Sequence, residues 1–286
     1  LQRWALRSGL IKSSFECKLE IEMKRLKQRL KNNEVLIGTF LSLGNALATE
    51  IIASSGFDWV LIDLEHGIGS EEDVLHQLQA IEHTNVSAIV RVEGYQRQRI
   101  HRVLDLGAHG IMCPRINNAT EADEVIKGLQ YPPLGIRGVA KMVRATGFGA
   151  NFDQYNADIK ENLLGIIQIE TKECLENLDE IAALPGVDVL FIGPADLSMS
   201  LGIFGQLSHP LFIEALDKIL AAAKKWNKSI GILLFDPADF TKYYDLGIRF
   251  FACGTDTLFL SSGAKQVVGS LQKQINEVAI NENKNG

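Results

Sequence analysis

The residues in this chain best suited to chemistry cluster at the ends of short apolar runs. Asp63, Glu65 and His66 follow "WVLI", Arg91 closes "AIVR" with Glu93 just beyond, Gln168 and Glu170 end "GIIQIE", and Asp196 lies just past "VLFIGPA". If those runs are parallel strands of one barrel, their polar ends surround a single pocket. Glu170 and Asp196 would then stand together beside a low-dielectric core, where an uncompensated ion is strongly disfavoured. A hard divalent cation, Mg²⁺ or Mn²⁺, accepts two carboxylates and keeps positions open for water and substrate oxygens. A carboxylate paired with Arg91, or one capping a helix, satisfies the same residues without a metal, and both readings stand on residue types alone.

His66 is the histidine placed at this mouth, and a nearby acid such as Asp63 can orient an imidazole and tune it to move protons near neutral pH. The other five histidines fall in expected helices or loops, where a structural role suffices. Arg91 ends an otherwise apolar run, so its charge either pairs with Asp63, Glu65 or Glu93 or faces a substrate carboxylate or enolate oxygen. The turn "GPADLS" leaves consecutive backbone N–H groups at Ala195 and Asp196; these can bind a carboxylate or simply start a helix.

The elements that must position these groups repeat a strand-then-helix grammar. Strands are expected near residues 35–41, 59–64, 88–92, 110–114, 164–169, 188–192, 230–234 and 249–253, with helices over 46–55, 71–82, 96–106, 119–129, 172–183, 209–226 and 237–246. Gly56, Gly107 and Gly247 each follow a helical pattern, where positive φ closes the helix before the next strand. The runs lack strict alternation, as strands covered on both faces do. An α/β fold, a single (β/α)8 barrel, is therefore expected over an open doubly wound sheet. No G-x-G-x-x-G follows the first strand and no phosphate-binding lysine motif appears, so nucleotide binding has nothing to rest on. One connection, from Arg115 to Glu161, is unusually long and carries "YPPLGIRGVAKMVRATGFG". It reads either as a loop reaching over the mouth or into a neighbouring subunit, or as a surface excursion.

At 286 residues with 46% hydrophobic and 22% charged side chains, the chain suits one large globular barrel. A net charge of −6 argues against nucleic acid and anionic lipid as partners. Lys24, Arg25, Lys27, Arg29 and Lys31 form a basic cluster, but Leu26 and Leu30 interleave at helical spacing, which makes a solvated helix face. No apolar run approaches the length that crosses a bilayer. Four scattered cysteines, without C-x-x-C pairs, suit a reducing, cytoplasmic setting. Residues 1–22 are expected to be a separate N-terminal extension ahead of a 23–286 barrel domain. Their first fifteen positions hold basic residues and serines but no acid, which fits either an organellar transit segment or an upstream remnant.

In order, "IGTFLSLGN", "GFDWVLIDLEHG", "VRV", "LDLGAHGIMCPRI", "YPPLGIRG", "IQIET", "FIGPADLS" and "GILL" resemble the HpcH/HpaI aldolase family across about residues 34–265. The resemblance implies a barrel of the pyruvate/phosphoenolpyruvate superfamily type and a class II, metal-dependent aldolase that cleaves a 4-hydroxy-2-oxo acid to pyruvate and an aldehyde through a metal-stabilised enolate. It implies Glu170 and Asp196 as ligands of Mg²⁺ or Mn²⁺, with Co²⁺ a third option, and pyruvate chelating that ion beside Gln168. His66, held by Asp63, would exchange a proton with the hydroxyl at the bond being cut, and Arg91 would steady the enolate oxygen. Phe40, Ala195 and Leu234 would line the pocket, Arg144 would reach a neighbouring subunit's site, and the assembly would be a homo-oligomer, a hexamer or trimer of dimers. Glu93 and Lys141 depart from the family's pattern. A Schiff-base role for Lys141 conflicts with its place in a loop. The alternatives are a citrate-lyase β-like or malyl-CoA lyase-type enzyme, which needs room for coenzyme A, and a catalytically silent barrel, which predicts loss among His66, Arg91, Glu170 and Asp196; all four are present.

Overall fold

The computed structural model describes residues 26–285. The chain runs α1 (Leu26–Lys31), β1 (Leu36–Leu41), α2 (Ala46–Ala53), β2 (Trp59–Asp63), α3 (Glu71–Ala80), β3 (Ser87–Arg91), α4 (Arg97–Leu106), β4 (Gly110–Cys113) and α5 (Ala119–Leu129). It continues with α6 (Phe152–Asn162), β5 (Leu164–Ile169), α7 (Lys172–Glu176), α8 (Leu178–Ala183), β6 (Val189–Ile192), α9 (Pro194–Ser200) and α10 (Pro210–Trp226). Last come β7 (Ser229–Leu234), α11 (Phe240–Asp245), β8 (Phe250–Thr255) and α12 (Asp256–Asn285). Each strand pairs in parallel with the next, and β8 pairs back onto β1, so the sheet closes as a barrel. The expected eight-strand α/β barrel is thus the observed fold. The boundary expected between residues 22 and 23 lies outside the described residues.

The strand pleat sends alternate side chains inward and outward, and this decides what faces the site. Trp59 and Leu61 of β2 belong to the inner cluster while Val60 and Ile62 pack outward against helices. The next inward position is Asp63. Along β3 the inward pair is Ile89 and Arg91, and along β5 it is Leu164, Ile166 and then Gln168. Each strand therefore carries apolar inward residues through the barrel and a polar one at its C-terminal end. Lower in the barrel Trp59 stacks on Phe250, with centroids 4.2 Å apart and planes within 7°. Gly38 of β1 passes so close to that indole that no Cβ fits there. Burying each such large side chain contributes roughly 1.5–3 kcal/mol.

The other end of the barrel is closed by α1, whose Leu26 and Leu30 join the inner cluster. Its basic residues are paired with this chain's own acids: Lys27 Nζ lies 2.9 Å from Asp188 Oδ2, Arg29 meets Glu34 and Asp58, and Lys31 meets Glu161. Lys24 and Arg25 lie outside the described residues. The expected helix face is thus a plug for the barrel floor.

Gly56, Gly107 and Gly247 have φ of 100°, 106° and 92°, as their positions after helices require. The helix expected over 172–183 is divided at Asn177, whose amide donates to Asn117 O at 2.9 Å and to Glu173 O at 3.0 Å. The polar α6 is an addition to the expected elements, because Ile159 is its one buried residue and leaves no apolar stripe to read. The long connection does not cover the mouth of its own barrel. Arg137, fully buried, donates to Asp105 Oδ1 at 2.7 Å and to Tyr155 Oη at 2.8 Å, and so ties the segment to the C-terminal end of α4. That end leads into the floor of the barrel, opposite the strand ends that carry the polar groups.

After β8 the chain enters α12, where Asp256 is buried and accepts from Ser42 N and Leu43 N at 2.9 and 3.0 Å. From Thr257 to residue 281 every position is exposed. Among the described residues no helix is long and apolar enough to cross a membrane.

Candidate active site

The polar strand ends converge as a linked cluster. Asp63 and Arg91 are register neighbours on β2 and β3, and the guanidinium grips the carboxylate with two bonds, Nε to Oδ1 at 2.9 Å and Nη2 to Oδ2 at 2.7 Å. Arg91 Nη1 faces Gln168 Oε1 at 3.4 Å, and the Gln168 amide nitrogen donates in turn to Glu170 Oε2. The other oxygen of Glu170 accepts the backbone N–H of Arg115 at 2.6 Å. The centroid of the Phe40 ring lies 5.2 Å from the Arg91 guanidinium carbon, a cation–π contact. Asp63, Arg91, Gln168 and Glu170 are all buried.

The electrostatics are dominated by carboxylates. Burial pushes the Glu170 carboxyl up to about 7, with the Arg115 N–H bond opposing and the charges of Glu65 and Asp196 adding to the rise. Burial also raises Glu65, against the pull of Arg91 and His66. Glu65 Oε2 lies 3.1 Å from Arg91 Nη1, yet it is buried and without a hydrogen-bond donor among the described residues. The Glu170 oxygens also explain Gly193, since a Cβ there would lie 3.0 Å from Oε2 and 2.9 Å from the Gln168 amide nitrogen. Gly193 precedes α9, which carries exposed Asp196 in its first turn with half-buried Ala195 beside it. Among the described residues, no group of three or more His, Cys, Asp or Glu side chains is placed to hold a metal ion by itself.

Two expected placements change. Asp63 does not hold the His66 ring: its Oδ1 accepts the backbone N–H groups of Glu65 and His66, at 3.0 and 3.3 Å, and its remaining capacity goes to Arg91. The imidazole is 66% exposed, and its recorded acidic neighbour is Glu65, 3.8 Å from Nε2. Leu234 packs outward in the helix-facing cluster, whereas Leu233 packs against the inner one. A one-residue offset along a strand exchanges faces, so the pocket-lining expectation for Leu234 fails by that offset. Arg144 is held on the far side of its own barrel by Leu106 O at 2.9 Å and Glu82 Oε2 at 3.0 Å.

The sequence reading passed over Arg115, which follows Pro114 at the end of β4 and takes the left-handed conformation, φ 54°. A surface-type residue after a proline gives no sign that its backbone N–H will bond a neighbouring carboxylate.

A ring of acids around one buried guanidinium, at the C-terminal mouth of a closed barrel, is where this fold places catalysis. The family model of HpcH/HpaI aldolase/citrate lyase matches residues 36–262, which includes every residue of this cluster. The chain belongs to the HpcH/HpaI aldolase/citrate lyase family. It is 40% identical over 249 residues to a hydroxypyruvate/pyruvate aldolase of Paraburkholderia phytofirmans, covering 85% of this chain and 95% of the relative. It is 39% identical over 233 residues to a 2-keto-3-deoxy-L-rhamnonate aldolase of Salmonella gallinarum, covering 81% and 87%. A crystal structure of an HpcH/HpaI aldolase/citrate lyase family protein from Burkholderia cenocepacia superposes with a TM-score of 0.82 at 37% identity, covering 86% of this chain and 98% of that one. This HpcH/HpaI protein is accordingly an aldolase, a carbon–carbon lyase.

Proposed function

We propose that this protein is a divalent-metal-dependent aldolase that reversibly cleaves a 4-hydroxy-2-oxo acid to pyruvate and an aldehyde. The observation that carries the reading is the placement of Glu170 at the barrel mouth: a buried carboxylate held by the Arg115 N–H and the Gln168 amide, with Glu65 and Asp196 near enough that their charges, together with burial, push its carboxyl up. A cation between Glu170 and Asp196 relieves that repulsion. The oxygen-only donor set suits Mg²⁺ or Mn²⁺, with water and substrate completing the shell. The donor-less oxygen of Glu65 is suited to accept from such a water. Glu170 and Asp196 would hold the ion, which would supply Lewis-acid polarisation of the substrate's 2-oxo group.

The chain's own residues supply the rest. His66, exposed at the mouth, accepts the C4 hydroxyl proton; the C3–C4 bond breaks, C4 becomes the aldehyde carbonyl, and the bonding pair moves through C3 and C2 onto the 2-oxo oxygen. Arg91, locked by Asp63 and Phe40, presents its Nη1 edge to the oxygen that gains charge, where a preorganised donor acts without reorganisation. Protonation at C3 releases pyruvate. Gln168 bridges Arg91 and Glu170 and keeps the two in one geometry. Ala195 narrows the pocket beside Asp196.

Pyruvate release, measured over a panel of 4-hydroxy-2-oxo acids with and without a chelator, tests the reading. Metal-restored activity is expected; full activity after chelation overturns it.

We also propose that the working unit is a homo-oligomer, a hexamer or trimer of dimers. Support comes from α12, which leaves Leu258, Phe259, Val267, Val268, Leu271 and Ile275 exposed along one continuous helix. Single exposed apolar residues are ordinary, but a run of this length marks an interface. Sedimentation of the full chain should give a species larger than a monomer, and a purely monomeric profile overturns this.

A further inference from the structure

The carboxylates at the mouth are not equally occupied. Asp63 is fully committed: Oδ1 accepts from Arg91 Nε and from the backbone N–H groups of Glu65 and His66, and Oδ2 accepts from Arg91 Nη2. Nothing of it is left for an imidazole. Glu65, two residues on, is in the opposite condition. Its Oε2 is buried and has no hydrogen-bond donor among the described residues, although Arg91 Nη1 lies 3.1 Å away and His66 Nε2 3.8 Å away. Those two distances also place the His66 ring beside the guanidinium at the mouth. A buried acceptor is costly to leave without a donor, so this oxygen is expected to gain one during turnover.

Arg91 is poorly placed to be that donor, because its Nη1 edge also faces Gln168 Oε1 at 3.4 Å and is the edge turned toward the enolate oxygen. His66 is better placed: its ring is exposed and makes no hydrogen bond among the described residues, so a small rotation closes the gap to Glu65. We propose that Glu65 is the positioning residue of the His66 base: its Oε2 accepts Nε2–H, fixes that tautomer, and leaves Nδ1 to take the proton of the C4 hydroxyl. The inference rests on the aldolase reading above, in which His66 is the base, and it moves the supporting acid from Asp63 to Glu65. When Nδ1 gains the proton the ring becomes an imidazolium, and the carboxylate beside Nε2 stabilises the new charge. No proton leaves Nε2, so Glu65 stays ionised, and in the synthetic direction the proton returns from Nδ1. A carboxylate oxygen has room for two donors, so the ring N–H and a metal-bound water do not compete for it. The charged groups facing Glu65 come from β2, β3 and α9: burial, Asp63 and Asp196 oppose its ionised form, and Arg91 and His66 favour it.

The test is a proton NMR titration of the His66 ring in the metal-free full chain, its C–H resonance assigned as the one absent from His66→Asn. Glu65→Gln keeps the size of the side chain and removes its charge, and Arg91 keeps both bonds to Asp63, so the buried guanidinium stays compensated. The His66 midpoint should fall by about one pH unit in Glu65→Gln, and Asp63→Asn should move it less. In the Mn²⁺-loaded enzyme the acid limb of the kcat/KM profile for cleavage should shift to lower pH by the same amount, because a base that holds its proton more weakly stays available further down the scale. Plateau kcat should fall about tenfold. A midpoint unchanged in Glu65→Gln, or moved more by Asp63→Asn, overturns the role of Glu65 and leaves the aldolase reading standing. A midpoint that falls while the acid limb stays in place makes the contact merely structural and overturns the role as well. If the midpoint falls but the wild type releases no pyruvate from any 4-hydroxy-2-oxo acid, the aldolase reading is overturned and the catalytic role goes with it.

Discussion

The two nitrogens of Arg91 that grip Asp63, at 2.9 and 2.7 Å, join adjacent strands at the one level of the barrel where the interior turns from apolar to charged. Asp63 is 3% exposed and Arg91 is 6% exposed. Removing one partner of a buried pair leaves an uncompensated charge and destabilises by about 3–5 kcal/mol. Asp63→Ala should therefore lower the urea midpoint markedly as well as abolish turnover, while Arg91→Lys should fold better than Asp63→Ala yet lose the two-pronged contact and most of kcat. An unchanged midpoint for Asp63→Ala contradicts this account of the pair.

Glu170 sets a pH dependence whose sign is fixed. Its carboxyl is raised from 4.5 to about 7 in the folded chain, so between those values the native state holds a proton that the unfolded state has released. Stability of the metal-free protein from this group is full below about 4.5 and is lost as pH rises through about 7. Glu170→Gln should then stabilise the metal-free protein at pH 8, by on the order of 1–3 kcal/mol, while removing Mn²⁺ binding and activity. Thermal melts of both proteins from pH 5 to 8 decide the matter; parallel profiles refute the assignment. For the wild type, Mn²⁺ affinity should fall as pH drops below about 7, because the ion requires the ionised carboxylate.

His66 offers the opposite balance. Its ring is 66% exposed with one approach to Glu65 at 3.8 Å, so little packing is lost on replacement. His66→Asn should change stability by no more than about 0.5 kcal/mol and lower kcat for cleavage by about 10²- to 10⁴-fold. Retention of wild-type cleavage would assign the proton transfer elsewhere.

Lys141 should be dispensable. Its ammonium sits over the Phe152 ring at 4.9 Å, on the long connection at the side of the barrel away from the mouth. Lys141→Ala is expected to keep its activity, and borohydride reduction in the presence of pyruvate should leave the protein's mass unchanged. A trapped adduct would bring the Schiff-base mechanism back.

The contrast between Asp63 and Leu234 shows how far residue order reaches. An apolar run ending in an acid, as in "WVLID", places both the strand and its functional end, because a charge at the last inward position is unmistakable against the residues before it. "GILLF" carries no such mark, and with leucine at both 233 and 234 the inward one is indistinguishable until the register with Ala252 and Cys253 is known. Arg144 and Arg115 escape the sequence for a related reason. Nothing in residue order shows that the Arg144 guanidinium bonds Glu82 and Leu106 within its own chain, or that the backbone N–H of Arg115 bonds Glu170.

By itself, the order of residues determined the eight strands, their return helices, the glycines that end those helices and the acidic ring with its arginine and histidine. These are consequences of local periodicity and of charges that an apolar core does not tolerate without a purpose. Only the closed barrel decided which carboxylate Arg91 grips, that the Asp63 side chain bonds the backbone rather than the ring of His66, and that the long connection lies at the floor. Those outcomes depend on distances between segments far apart in the chain, which are set by strand register and barrel closure rather than by any neighbour in sequence.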